Sequence, residues 1–188
     1  DSFVDEVATR RNGGDAVVLA GCWPSDDAVA GAELVVVKVP KSRALLDETL
    51  ARLVPLLAPG TPVIGAGMTR HVHTSTVESF ERHVGPTTTT RARKKARLLL
   101  SSVAPDDGSR PAPSWPREVV LDRGRTVGRL VNHAGVFSAD RLDRGTELLV
   151  DHLPDVAPDA AVVDLGCGNG VVGLTLALQR PDVSVRFV

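Results

Sequence analysis

Apolar residues recur along this chain at two spacings, one typical of buried strands and one typical of helices. Residues 34–39 form a continuous run rich in β-branched side chains, which predicts a buried strand. Apolar positions then fall at helical spacing from residue 45 to residue 57, and Ser42 can cap the predicted helix. Pro55 helps to end it. A shorter apolar run occupies residues 16–20.

The pattern continues as strand, helix and extended chain. Residues 62–66 predict a strand. The sequence Ser-Thr-Val-Glu at residues 75–78 resembles a capping box that opens a helix running to Val84. Residues 87–101 predict extended structure. Because strands and helices alternate, the sequence predicts an α/β fold.

The composition changes between residues 102 and 116, where four prolines and an Asp-Asp-Gly sequence are typical of a linker. Beyond it, residues 118–121 and 126–131 predict a β-hairpin. Residues 140–153 predict a helix whose inner face carries Leu142, Leu148, Leu149 and Leu153.

These patterns divide the chain into two predicted domains. The first spans residues 1–104 and the second spans residues 117–188, with the linker at 105–116. Asp1 is not an initiator methionine, and residues 183–188 form an apparent strand at the very end of the chain. We therefore expect a fragment that holds much of one domain and the start of another.

A glycine-rich stretch carries the clearest candidate chemistry. Residues 161–164 predict a buried strand, and residues 165–170, here called the glycine turn, follow it before an apolar helical pattern resumes. Glycines at a strand-to-helix turn let the backbone approach a ligand closely, and the helix start presents N–H groups there. Asp164 at the strand tip suits a ligand with a cationic or hydrogen-bond-donating end. The stretch predicts a nucleotide-type ligand.

Two ligands fit this turn. From Gly168 to Gly173 the sequence matches Gly-x-Gly-x-x-Gly, the dinucleotide fingerprint, which would bind NAD. From Asp164 it spells Asp-x-Gly-x-Gly-x-Gly, which resembles motif I of S-adenosylmethionine-dependent methyltransferases. Only the second pattern uses the aspartate, so we favour S-adenosylmethionine as the cofactor.

Composition argues against several other classes of protein. The formal net charge of −1 gives no global basic field. No apolar run is long enough to span a membrane and no secretory signal is visible, so a cytoplasmic protein is predicted, and we expect a monomer. Cys22 and Cys167 lack metal-ligand spacing, and His71 and His73 have no third ligand nearby in sequence, so no metal site is predicted.

Two further stretches make a family resemblance specific. Residues 135–149 begin Gly-Val-Phe-Ser and continue with Asp-Arg-Gly-Thr at 143–146, shortly before the glycine turn. This order resembles the bacterial ribosomal RNA guanine-N2 methyltransferases of the MTS family, in which a Gly-Val-Phe-Ser segment and an Asp-x-Gly-[Thr/Ser] helix start precede motif I. Residues 39–42, 87–90 and 94–98 resemble the amino-terminal half of that family.

The resemblance implies a fold, an activity and a set of site residues. Family members are two tandem domains with a Rossmann-like class I methyltransferase fold, and only the carboxy-terminal copy binds S-adenosylmethionine and catalyses. The implied substrate is ribosomal RNA, methylated at guanine N2. The implied cofactor-binding residues are Asp164, Gly166, Cys167, Gly168, Asn169, Gly170, Phe137, Gly145 and Thr146.

The resemblance assigns no catalytic residue within this sequence. A working copy carries Asn-Pro-Pro-Phe after a strand, and its Asn side chain accepts a hydrogen bond from the amine to be methylated. The first domain has Lys38-Val39-Pro40-Lys41 in that place. Because Val39 cannot accept that hydrogen bond, the first domain is expected to be non-catalytic. The motif of the second copy would lie beyond Val188.

The densest group of cations lies in the predicted extended segment. Arg91, Arg93, Lys95 and Arg97 alternate, so in an extended chain they share one face that could follow RNA phosphates. A solvated edge strand guarded by charge fits the same pattern, and the family resemblance favours RNA.

Three alternatives remain for the whole chain. It could be a non-catalytic RNA-binding protein with a methyltransferase-like fold, or an NAD-dependent oxidoreductase. It could also be a methyltransferase that acts on protein glutamine or on a small molecule.

Overall fold

Most of the predicted elements fall within the part of the chain that the structure describes. The computed structural model describes residues 29–123, 126–136 and 142–188. The apolar run at residues 16–20 and the predicted site residue Phe137 lie outside the described residues. The chain divides into two compact units, and the glycine turn belongs to the second.

The first unit contains residues 29–39 and 49–111 of the described chain and is built on a four-stranded mixed sheet. β1 and β2 pair in parallel, whereas β4 is antiparallel to both of its neighbours. The order across the sheet is β1-β2-β4-β3. The strands are β1 (Val35–Lys38), β2 (Pro62–Met68), β3 (Thr87–Thr89) and β4 (Ala96–Ser102).

Helix α1 (Arg43–Leu53) connects β1 to β2, and its residues are shared between the two units. The predicted cap is confirmed, because Ser42 Oγ accepts a hydrogen bond from the N–H of Leu45 at 3.3 Å. The predicted stop is confirmed as well. A 3-10 turn (Val54–Leu56) that contains Pro55 follows the helix directly.

Helix α2 (Thr74–His83) packs against β2 through Phe80, whose side chain is fully buried. The contact requires glycine at Gly65, where a Cβ would lie 2.6 Å from Phe80 Cζ. The capping box predicted at residues 75–78 is wrong by two positions. His73 is the N-cap, and its N–H donates to Thr76 Oγ1 at 3.2 Å. The Thr76 hydroxyl therefore accepts the hydrogen bond from the N-cap N–H, a role that the predicted capping box gave to the Glu78 side chain.

A tight turn interrupts the extended structure predicted for residues 87–101. Arg93 and Ala96 exchange both backbone hydrogen bonds, at 2.8 and 3.0 Å. Lys94 and Lys95 between them have φ values of 50° and 62°. β3 and β4 are thus the two strands of a hairpin. The expectation that Arg91, Arg93, Lys95 and Arg97 share one face of a continuous strand is wrong, because the chain reverses direction within this set.

The second unit contains residues 40–48 and 112–188. Strands β5 (Arg117–Arg123) and β6 (Thr126–Asn132) form the predicted antiparallel hairpin. Helix α3 (Arg144–Asp151) follows. The chain then forms a strand-helix-strand unit in which β7 and β8 pair in parallel. Its elements are β7 (Ala161–Asp164), α4 (Val171–Gln179) and β8 (Ser184–Phe187).

The inner face predicted for helix α3 is confirmed in part. Leu142, which precedes the helix, packs against a core cluster of the second unit as predicted, and Leu153 is half-buried. Leu148 and Leu149, by contrast, are 62% and 49% exposed, whereas Val150 is buried. The prediction was wrong for these two leucines, because the inward positions within the helix, Thr146 and Val150, are four residues apart.

Residues 103–116 contain neither a helix nor a strand, but their backbone is anchored. The buried carboxylate of Glu48 accepts hydrogen bonds from the N–H groups of Ser114 and Trp115, at 2.8 and 3.3 Å. None of the helices in the described residues has the length and apolar character needed to cross a bilayer.

Candidate functional site

Left-handed backbone at three glycines shapes the glycine turn. The φ value is 71° at Gly166, 57° at Gly168 and 77° at Gly170. Residues with a Cβ adopt this conformation only at a cost in free energy, so the turn requires glycine for its path. A Cβ at Gly166 would meet no atom of the described residues within 4 Å. The described part of the chain therefore leaves space for a ligand beside this residue.

The Asp164 carboxylate ties the end of β7 to the start of α4. Asp164 Oδ2 accepts a hydrogen bond from the N–H of Gly173 at 2.9 Å. This N–H lies in the first helical turn, where it has no acceptor within its own helix. Asp164 thus fixes the geometry of the turn from the strand side. The expectation that it also meets the cationic end of a ligand stays a prediction.

Short-range hydrogen bonds hold the remainder of the turn. The N–H of Gly170 donates to the carbonyl of Cys167 at 2.8 Å. The Asn169 side chain is turned toward the helix start, where its Oδ1 accepts from the N–H of Val171 at 3.3 Å. The Cys167 thiol is free and half-buried. These residues give the turn its shape before any ligand binds.

Helix α4 lies directly against the two parallel strands because Gly173 has no side chain. A Cβ there would lie 2.5 Å from Phe187 Cε1 and 3.0 Å from both Asp164 Oδ2 and Val185 Cγ1. The last glycine of the stretch is therefore a packing residue. The close approach sets the position of the helix start, whose partial positive charge faces the turn.

The segment before β7 forms a second helix start. Asp143 Oδ1 accepts from the N–H groups of Gly145 and Thr146 at 2.9 and 3.3 Å, and the Thr146 hydroxyl donates to Asp143 Oδ2. Leu142 packs against a cluster that contains Val171, the first residue of α4. Leu142, just before α3, and Val171, at the start of α4, thus share one core cluster of the second unit. The expectation that Gly145 and Thr146 lie beside the cofactor stays a prediction.

The arrangement is suited to a nucleoside-type cofactor. It combines open space at Gly166, a glycine backbone that a ligand can approach, and the positive end of α4. Leu165, the first residue of the turn, exposes 81% of its surface to solvent. In the described part of the site, the carboxylates of Asp164 and Asp143 accept backbone hydrogen bonds at the two helix starts. The described residues could therefore bind and orient a cofactor, and they assign no catalytic group.

The predicted RNA-binding residues lie in the first unit, around the β3–β4 turn. Arg91, Arg93 and Lys95 are exposed, and Arg97 is half-buried at the start of β4. Lys94, which the alternation pattern omitted, lies at the tip of the turn beside Lys95.

The paired histidines lie at the start of α2. His71 Nε2 accepts from Arg70 Nε at 3.1 Å. Across residues 29–123, 126–136 and 142–188, no cluster of three histidine, cysteine or acidic side chains is arranged to hold a metal ion.

Family models match both halves of the chain. The model described as "RLMG N-terminal domain" matches residues 1–105. The model described as "Methyltransferase small domain" matches residues 128–188.

Curated proteins align along the whole chain. The chain is 48% identical to the "Ribosomal RNA large subunit methyltransferase G" of Streptomyces coelicolor, and the alignment covers 51% of that protein. It is 36% identical to the protein of the same name from Pseudoalteromonas translucida, with 49% of that protein covered. The chain spans about half the length of the curated relatives it matches.

A solved structure shares the fold. It is described as the T. thermophilus 16S rRNA N2 G1207 methyltransferase (RsmC) in complex with AdoMet and guanosine. The match has a TM-score of 0.68 at 25% identity and covers 85% of this chain and 45% of that chain. The predicted α/β, Rossmann-like methyltransferase fold is confirmed.

Proposed function

The chain belongs to the family of the RLMG N-terminal domain, here followed by a Methyltransferase small domain, and from this membership we propose that it is part of an S-adenosylmethionine-dependent RNA methyltransferase. The predicted resemblance to the MTS family is thereby confirmed. The proposed substrate is ribosomal RNA and the proposed acceptor is guanine N2. One observation carries the proposal: the glycine turn, with its left-handed glycines, lies within the part matched as a methyltransferase domain.

The names of the relatives refine the substrate. The curated relatives are named as large-subunit methyltransferases, and the solved structure, at lower identity, is named as a 16S enzyme. Because the large-subunit relatives are more similar to this chain, we assign the proposed activity to large-subunit ribosomal RNA. With such a substrate, we infer that the activity is cytoplasmic.

The proposed cofactor site is formed by the glycine turn and the start of α3. S-adenosylmethionine, when bound, supplies the methyl group. Gly166 and Gly168 allow close backbone approach, and Asp164 and Asn169 hold the turn in the shape that this requires. Cys167, Gly170, Gly145 and Thr146 complete the described part of the site, and Phe137 is proposed from the resemblance alone.

The contribution of these residues to the reaction is alignment. A methyl transfer needs the acceptor amine in line with the departing sulfur, and holding two reactants in that geometry removes much of the entropic barrier. None of the described residues is assigned as the hydrogen-bond acceptor for the amine. The first unit, which has Lys38-Val39-Pro40-Lys41 where a working copy carries Asn-Pro-Pro-Phe, is proposed to position RNA rather than to catalyse.

Methyl transfer to RNA tests the proposal directly. The chain, extended to the length of its relatives, is incubated with labelled S-adenosylmethionine and protein-free large-subunit ribosomal RNA. The RNA is then digested to nucleosides and analysed by mass spectrometry. We expect N2-methylguanosine, absent from reactions with Gly168→Val. Transfer to protein glutamine or to a small molecule instead, or no transfer by a protein that binds RNA, would contradict it.

A further inference from the structure

The second unit includes a stretch from the amino-terminal part of the chain. Residues 40–48, which contain the amino-terminal half of α1, belong to this unit together with residues 112–188. The same stretch lies within residues 1–105, which match the model of the RLMG N-terminal domain. By sequence it is part of the first domain, and by packing it is part of the unit that carries the glycine turn. This unit therefore uses a piece of the amino-terminal domain as one of its own components.

Glu48 of α1 holds the chain that enters β5. Its side chain is buried, and its Oε2 accepts hydrogen bonds from the N–H groups of Ser114 and Trp115, at 2.8 and 3.3 Å. β5 begins shortly afterwards, at Arg117. Hydrogen bonds to an ionised acceptor are stronger than those between neutral groups, and buried N–H groups that lose their acceptor are costly. The start of β5 is therefore fixed on α1.

Leu45, one helical turn earlier on α1, holds the chain that leaves β6. Gly135 follows the end of this strand and has a φ value of 86°. A Cβ at Gly135 would lie 3.0 Å from Leu45 Cδ2 and 3.1 Å from Leu45 Cβ, so the backbone there lies directly on the leucine side chain. Leu45 also packs against the buried cluster of Trp115 and Ala134. The same helix thus holds both ends of the β5–β6 hairpin.

Between its two ends, the β5–β6 hairpin packs on the helix that follows the glycine turn. Leu121 of β5 and Leu130 of β6 form a buried cluster with Val171, the first residue of α4. Val171 comes directly after Gly170, the N-cap of α4 and the last residue of the glycine turn. Close-packed side chains have little room to shift independently, so a displacement of the hairpin also displaces the start of α4.

We propose that Glu48 and Leu45 are positioning residues for the cofactor site, an inference that rests on the proposed function. They act through the β5–β6 hairpin, whose ends they fix and whose inner face holds Val171. Because glycine has many accessible conformations, a turn with three left-handed glycines depends on the elements at its two ends for its shape. β7 supports one end of the glycine turn. α4, held by the hairpin, supports the other.

Substitutions at the two ends of the hairpin test this role. Glu48→Ala removes the acceptor, whereas Glu48→Gln keeps an oxygen that can accept from both N–H groups. Leu45→Ala removes the side chain that lies against Gly135. The matched control is Phe80→Leu, which also removes buried contacts, but in the core of the first unit. All four variants are made in the chain extended to the length of its relatives.

Calorimetric titration with S-adenosylhomocysteine gives the first readout. The affinity should fall roughly tenfold in Glu48→Ala and roughly threefold in Leu45→Ala, as for residues that influence a site without touching its ligand. Glu48→Gln should recover most of the lost affinity. Phe80→Leu should be less stable than the parent but bind the ligand equally well. Parental affinity in a folded Glu48→Ala protein would overturn the proposal, as would an equal loss of affinity in Phe80→Leu.

Hydrogen exchange of backbone N–H groups gives a second readout, which needs no ligand. In Glu48→Ala, exchange should become faster in the β5–β6 hairpin and in the first turn of α4, and in Phe80→Leu it should keep the parental rate there. If Glu48→Ala does not fold, Leu45→Ala carries the same test.

The two readouts distinguish this proposal from the proposed function. If the parent binds no S-adenosylhomocysteine, the proposed function fails, whereas faster exchange at the start of α4 in Glu48→Ala still supports the role of α1 in holding the turn. If the parent binds the ligand and both the affinity and the exchange rates are unchanged in Glu48→Ala, the positioning role alone is overturned.

Discussion

Gly168 combines a left-handed backbone with a central place in the glycine turn. Its φ value of 57° disfavours any residue with a Cβ, and a β-branched one most of all. We predict that Gly168→Val abolishes the binding of S-adenosylhomocysteine, because the new side chain both strains the turn and occupies space that the ligand needs. Isothermal titration calorimetry on the chain extended to the length of its relatives measures this.

Gly108→Val provides the control for backbone strain. Gly108 has φ of 82°, a Cβ at this position would meet no atom of the described residues within 4 Å, and the residue belongs to the first unit. The substitution should lower the melting temperature as Gly168→Val does but leave ligand affinity unchanged. Parental affinity in a folded Gly168→Val protein would show that the turn does not contact the cofactor.

The ionisation of the Asp182 carboxylate reports on its contact with the Arg180 guanidinium. Arg180 donates to it through Nε at 2.9 Å and Nη2 at 2.7 Å. This hydrogen bonding lowers the pKa of Asp182 below its ordinary value of 3.8 and raises the pKa of Arg180. Because the pKa is lower in the folded state, the pair stabilises the fold above the ordinary pKa. The stabilisation is lost as the pH falls through the folded pKa.

We predict that Arg180→Gln raises the pKa of Asp182 toward 3.8, measured by NMR titration of the side-chain carboxyl. Asp107 serves as an internal reference, since its pKa is lowered by hydrogen bonds from Ser109 and not by Arg180. A titration curve of Asp182 that is identical in both proteins would mean that the guanidinium is not bound to it in solution.

At the scale of elements, the contact of α4 with the parallel strands depends on Gly173. Alanine favours a helix over glycine by up to about 1 kcal/mol. The Cβ, however, would lie 2.5 Å from Phe187 Cε1, and overpacking costs about 1–3 kcal/mol. We therefore predict that Gly173→Ala lowers the free energy of unfolding in urea. Adding Phe187→Leu to this variant should restore part of the lost free energy of unfolding. A Gly173→Ala protein more stable than the parent would contradict the close packing of α4 on the strands.

The start of α3 depends on the Asp143 side chain. It accepts from two backbone N–H groups, those of Gly145 and Thr146. Asp143→Ala should cost about 1 kcal/mol of unfolding free energy, whereas Asp143→Asn, which keeps an acceptor oxygen, should cost much less. Chemical denaturation compares the two, and equal losses would mean that the cap is not formed.

The sequence predicted most strands and helices but misplaced features that depend on single residues. Strands such as β2 follow from apolar runs, and the Ser42 cap follows from residue type. The turn at Lys94 and Lys95 was missed because neither residue is one that normally signals a hairpin turn. The start of α2 was misplaced because His73 is not among the usual N-cap residues.

At the scale of the molecule, the two units have different proposed roles. The glycine turn was identified from its spacing, since a ligand-binding backbone requires glycines at fixed positions. The clustering of cations in the first unit could not be found in the same way. Lys38, Arg70 and Lys94 are far apart in sequence or out of phase with the alternation, and only the strand order brings them to one edge. Surfaces assembled by topology need the fold before they can be recognised.

One titration tests the central claim most directly. S-adenosylhomocysteine, and separately NAD, is titrated by calorimetry into the chain extended to the length of its relatives. The account predicts saturable binding of S-adenosylhomocysteine and no binding of NAD, because the glycine turn is matched as part of a methyltransferase domain. Binding of NAD alone would support an oxidoreductase, and binding of neither ligand would leave an RNA-binding protein without a cofactor. Either result would contradict the account.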